Sequence, residues 1–147
     1  MFQLLSGKII KNLFSNQRKI LNSKDLAYRI TGLIFNKKGY DVRILDLKNL
    51  TSFTDYFVIC SADSEVQVKA IADEIDKQLR DEGIKYWHIE GYRALNWVLV
   101  DYVDVVVHVF KKESREFYKL ERLWGDAPSE EIEDEGIKEL KSRKKNR

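Results

Sequence analysis

The stretch DYFVICSADSEVQVKAIADEIDKQLRDEG, residues 55–83, sets the fold class because its hydrophobic period changes halfway along. Its first part, with the preceding TSFT, is an aromatic and β-branched run that predicts a strand ending near Cys60. From Ser64 onward Val68, Ile71, Ala72, Ile75 and Leu79 fall on one helical stripe, and Asp73, Glu74, Asp76 and Lys77 lie largely off it. Ser64 with Gln67 three positions later has capping-box spacing, and Gly83 ends the helix. A strand that hands over to a one-sided helix predicts a helix laid on a sheet.

Upstream, SKDLAYRITGLIFNKKG (23–39) reads as a helix capped by Ser23, striped by Leu26, Ile30 and Leu33, weakened somewhat by Gly32 and ended by Gly39. DVRILDLKNL (41–50) reads as a strand with Val42 and Ile44 on one face and Leu45 and Leu47 on the other. Downstream, IKYWHIEG (84–91) is a third strand, and EGYRALNWVLVDYVDVVVHVF (90–110) supplies a fourth and fifth. ESREFYKLERLWG (113–125) reads as one helix that buries Phe117, Leu120 and Trp124. The pattern predicts a single α/β domain with a mixed sheet over residues 23–128. A basic extension, 1–22, precedes it, and a charged tail, 129–147, mobile or loosely helical, follows.

The 147 residues have room for one domain and one core. The net charge of +2 conceals a division: residues 1–24 hold five basic residues and no acid, whereas residues 25–128 hold 15 basic against 18 acidic. A body with net charge −3 argues against direct nucleic-acid reading, which draws its affinity from phosphate neutralisation, and for a basic protein partner. Cys60 is the single cysteine, so no internal disulfide forms, and a reducing, cytoplasmic setting is expected with the thiol as core filler. No apolar stretch is long enough to span a membrane. Residues 1–22 place Phe2, Leu5, Ile9 and Leu13 at helical spacing among basic residues, which reads either as a bacterial extension or as a mitochondrial or plastid presequence.

Alternation in the 97–110 ribbon puts Trp97, Leu99 and Asp101 on one face of its first strand and Val98, Val100 and Tyr102 on the other. In its second strand Val105, Val107 and Val109 oppose Asp104, Val106, His108 and Phe110. The valine faces belong under the helices. The opposite side, with Trp97, Leu99, Val106, His108 and Phe110, is either covered by the first or last helix or left for a partner that meets Trp97 as an anchor and acids at the rim.

A search for chemistry returns nothing specific. Asp101 and Asp104 are too few for a metal site and more naturally cap a hairpin, and neither His88 nor His108 has a ligand-spaced companion. No phosphate loop, dinucleotide turn, zinc-protease helix or paired-cysteine motif is present. A Ser61, His108 and Asp101 triad has no support from order or local turn. No catalytic, cofactor-binding or metal residues are therefore assigned.

DYFVICSADSEVQVKAIADEI (55–75), EG (90–91), WVLVD (97–101), DVVVHVF (104–110) and REFYKLERLWGDAP (115–128), in this order, resemble the Iojap family of ribosomal silencing factors. The resemblance implies a nucleotidyltransferase-like mixed-sheet fold without catalytic residues and without enzyme activity. It implies docking on ribosomal protein L14 of the large subunit, which hinders the small subunit from joining and represses translation; organellar relatives act in large-subunit assembly by the same docking. It carries the interface onto Trp97, Leu99, Asp101, Tyr102 and Asp104, and less strongly onto Glu90, Val106 and His108. Arg115, Tyr118 and Glu121 also match, either as interface or as a helix tied to the sheet edge. The family usually has glycine where this chain has Val103, so a different turn is expected at the hairpin tip. Self-association of the free protein through the same ribbon is a further expectation.

Overall fold

The structure, a computed structural model, describes residues 22–145; the basic leader and its stripe lie outside the described residues. The elements run α1 (Ser23–Asn36), β1 (Tyr40–Asp46), β2 (Tyr56–Ala62), α2 (Glu65–Asp81), β3 (His88–Glu90), β4 (Trp97–Asp101), β5 (Val105–Lys111), α3 (Lys112–Tyr118), α4 (Leu120–Leu123), β6 (Ser129–Ile132) and α5 (Glu135–Lys145). The strands form one sheet in the order β3-β4-β5-β2-β1-β6. β2 and β5 run parallel, and the other neighbours are antiparallel. This is the mixed α/β domain that the change of period at Ser64 predicts.

Helices α1 and α2 cover one face. Leu26, Ile30, Leu33 and Ile34 of α1 and Val68, Ile71, Ile75 and Leu79 of α2 meet Val42, Ile44, Val58, Cys60, Val98, Val100, Val105, Val107 and Val109 in one cluster. Each fully buried aliphatic side chain here contributes about 1.5–3 kcal/mol relative to exposure. Burial pushes the Cys60 thiol up to about 12, so it stays protonated and unreactive, as befits core filler.

The capping box forms with a variation. Ser64 Oγ accepts from Gln67 N–H at 3.1 Å, while Gln67 Oε1 accepts from Asp63 N–H at 2.7 Å instead of reaching back to Ser64. Gln67 Nε2 donates to the carbonyls of Lys37 and Lys38, so the start of α2 is fastened to the end of α1. The cap of α1 is Asn22 and not Ser23: its side chain accepts from Lys24 N–H at 3.0 Å. Lys38, at φ 65°, makes the left-handed exit. Gly39 is required for space, because a Cβ there would lie 2.3 Å from Ile34 Cγ2.

Two further expectations are corrected. Residues 113–125 are not one helix: Lys119 is left-handed, at φ 50°, and separates α3 from α4. The break rotates Phe117 outward, leaving it 78 % exposed, while Leu120 stays buried. The charged tail also holds an edge strand, since Ser129–Ile132 pairs with β1 from Leu45↔Ser129 to Val42↔Ile132. Tyr28 of α1 donates to Glu130 and secures that edge. Isolated charges do not reveal such a strand, because an edge needs only backbone pairing on one side.

Candidate docking surface

Strand register defines the second face of the sheet. Glu90 pairs with Leu99, and His88 with Asp101. Across β4 and β5, Trp97 pairs with Phe110, Leu99 with His108 and Asp101 with Val106. β2 continues the face with Phe57, Ile59 and Ser61 opposite Val106, His108 and Phe110.

The segment after β5 covers part of it. Leu45, Leu47, Ile59, Phe110, Leu120 and Ala127 make a second, smaller core, with Phe57, Trp97 and Trp124 packed against it. Arg115 ties the segment down: its Nε donates to Glu121 at 2.7 Å, and its Nη1 donates to Ser61 Oγ at 2.8 Å and to the Asp41 carbonyl at 2.6 Å. Arg43 adds a second ion pair to Glu121 at 3.5 Å. The two alternatives for this face are thus both partly realised: covered beside β2 and β1, partly open beside β4 and β3.

Trp97 lies on the boundary between the covered and open parts. Its ring stacks on Phe110 at 4.7 Å between centroids and sits 5.1 Å from Tyr118, and it remains partly exposed. Its Nε1 donates to His108 Nδ1 at 3.0 Å, which places the imidazole proton on Nε2. His108 is 2 % exposed, with the Phe57 ring edge-on at 4.5 Å, and burial lowers its pKa to about 3. It is a neutral support beneath the indole.

Of the eight candidate residues, Glu90 and Asp104 are exposed, and Trp97, Leu99 and Asp101 are half-buried. Val106 and His108 are buried on the same face. Tyr102 is buried in the first core, where desolvation raises its hydroxyl pKa, so its side chain supports the hairpin from the helix side. The structure therefore brings Leu99, Trp97, Asp101 and Glu90 together and holds Tyr102 apart from them.

The hairpin tip is a γ-turn: Asp104 N–H donates to the Tyr102 carbonyl at 3.0 Å across Val103, whose φ is 73°. Val103 thus adopts the positive φ itself, although branching at Cβ disfavours it. Neighbours impose the conformation. Asp101 Oδ1 accepts from Val103 N–H at 2.7 Å, and the Asp104 carbonyl accepts from the N–H groups of Asp55 and Tyr56. At the other end of β4, Gly91 has φ 78°, and a Cβ on it would lie 1.9 Å from the Trp97 carbonyl oxygen, so glycine there lets the chain pass close behind the tryptophan. Its role follows from no local pattern, since the contact is six residues away.

Among the described residues no group of three or more His, Cys, Asp or Glu could hold a metal, and no helix is long and apolar enough to cross a membrane. What the surface offers is an aromatic and aliphatic patch with carboxylates at its margin, chemistry suited to gripping a basic protein.

The family model described as "Ribosomal silencing factor during starvation" matches residues 20–147. The chain is 42 % identical over 113 residues to the ribosomal silencing factor RsfS of Halalkalibacterium halodurans, covering 77 % of this chain and 97 % of that one. It is likewise 42 % identical over 113 residues to the protein of the same name from Bacillus subtilis, covering 77 % and 96 %. A crystal structure of a protein from Bacillus halodurans superposes with a TM-score of 0.66 at 40 % identity, covering 74 % of this chain and 99 % of that one.

Proposed function

The chain belongs to the ribosomal silencing factor family, and from that premise we propose that it docks on ribosomal protein L14 of the large subunit and sterically blocks the small subunit from joining. The carrying observation is the partly open strip of the second sheet face, where Leu99 stands between Trp97 and Asp101 along β4 and opposite Glu90 on β3. An apolar centre supplies the burial, and the flanking carboxylates favour a basic partner and set its orientation. Blocking then needs no bond made or broken. It requires only that the concentration of the protein exceed its dissociation constant for the site, so that the bound domain fills space the other subunit needs.

The test is subunit association followed by light scattering. Wild-type protein is expected to suppress it in proportion to occupancy. Trp97→Ala and Asp101→Lys are expected to weaken binding to isolated L14 tenfold or more, as loss of an interface anchor and reversal of a rim charge do. Glu90→Lys provides an exposed variant whose folding is not at risk. Unhindered association at saturating wild-type protein would overturn the reading; unchanged binding by all three variants would remove this strip as its location.

A further inference from the structure

The sheet has two ends, and exposed apolar side chains collect at one of them. The starts of β3, β2 and β5 and the ends of β1 and β4 all lie there. Trp87, just before β3, is 74 % exposed; Val103, at the β4–β5 turn, is 55 % exposed; Phe53, just before β2, is 89 % exposed. Backbone hydrogen bonds fasten the three positions together. Trp87 N–H donates to the Asp101 carbonyl at 2.8 Å, and Asp55 N–H donates to the Asp104 carbonyl at 2.9 Å. Strand spacing puts the starts of β3 and β2 roughly 14 Å apart, with the β4–β5 turn that carries Val103 between them.

Three large apolar groups in a row are costly to leave in water, and none of the three belongs to either core cluster. Val103 adds a second oddity, since it holds a strained φ of 73° while pointing apolar surface outward. Backbone strain kept by surrounding hydrogen bonds is common where a protein grips a ligand. Carboxylates lie among the apolar groups at this end. Asp104 is exposed, and Asp101 and Asp55 are half-buried, while Lys48 is drawn aside to Asp46 and over the Tyr56 ring. Asp101 belongs both to this end and to the open face, so the two surfaces are continuous.

We infer that the docking surface turns over this end of the sheet, and that Phe53, Val103 and Trp87 insert into shallow apolar recesses of the same basic ribosomal protein that covers Leu99 and Trp97. This rests on the proposed docking reading and extends it to three residues outside the ribbon's open face. The acids between them favour a cationic partner.

The experiment measures binding of the full chain to purified large subunits for wild type, Phe53→Ser, Trp87→Ser and the double variant. Each single change is expected to weaken binding at least about fivefold, the usual threshold for an interface anchor, with melting temperature unchanged because both side chains lie on the surface. If both variants bind as wild type does while Glu90→Lys binds poorly, this inference falls and the docking reading stands. If wild type does not bind, both fall. If the variants lose only self-association in sedimentation velocity and keep subunit binding, the row belongs to a homodimer and the inference is overturned.

Discussion

The hydrogen bond from Trp97 Nε1 to His108 Nδ1 decides which nitrogen of a buried imidazole carries the proton, and that decision has a pH signature. Protonating the ring would bury a charge, so burial holds its pKa down to about 3, and a proton on Nδ1 would also displace the indole donor. An unfolded histidine accepts a proton near pH 6.5. The unfolded state therefore gains protons first as pH falls. The stabilisation is fully present above pH 6.5 and is lost progressively between 6.5 and 3, at no more than about 1.4 kcal/mol per pH unit. Urea unfolding at pH 7.5, 6.5 and 5.5 is expected to show this slope in wild type and a flatter one in His108→Asn, which keeps an acceptor for the indole. The window above pH 5 is chosen because most carboxylates titrate below it. Val103 shows the same logic in the backbone, since hydrogen bonds within the turn and from Asp55 and Tyr56 outweigh a local preference worth about 1 kcal/mol.

At the scale of elements, the short helices after β5 depend on tethers more than on their own propensity. α3 has seven residues and α4 has four, lengths that are unstable in isolation. Arg115 replaces what they lack. Its guanidinium, only 11 % exposed, joins Glu121 to Ser61 and to the carbonyl of Asp41, which is itself at φ 49° beside the irregular pairing of β1. Arg115→Ala is expected to destabilise the protein by about 2 kcal/mol, the scale of charged hydrogen bonds lost from a mostly buried site. It should also redden tryptophan emission as the second core opens around Trp97 and Trp124. Phe117→Ser, on the outer side of the same helix, should change stability by less than about 0.5 kcal/mol. Chemical denaturation with fluorescence readout measures both.

For the whole molecule the governing fact is segregation. One sheet face is sealed by two long helices, the other is half-sealed by a tethered segment, and the body between the termini carries net negative charge. The proposed docking surface, being of that sign, should bind a basic partner faster at low salt. Raising salt from 0.1 to 0.5 M is expected to weaken binding to large subunits several-fold, chiefly through the association rate, because exposed charges are screened over about 10 Å or less. Stopped-flow binding at several salt concentrations separates the two rate constants. Salt-independent association would assign the affinity to apolar contact alone.

Period and punctuation along the chain were enough to determine the fold class: the change from β to helical spacing at Ser64, the two-faced strand with Val42 and Ile44 against Leu45 and Leu47, and the valine face of the ribbon are local patterns with local causes. The ordered resemblance over about residues 23 to 128, most specific from 55 onward, was enough for the family. Tertiary structure alone decided how much of the second face stays open. That depends on Lys119 breaking a helix whose spacing looked continuous, on Arg115 reaching Asp41 across 74 positions, and on Ser129–Ile132 finding a free edge on β1. The last two are contacts between segments distant in sequence, and such contacts leave no period for a reader of the sequence to see.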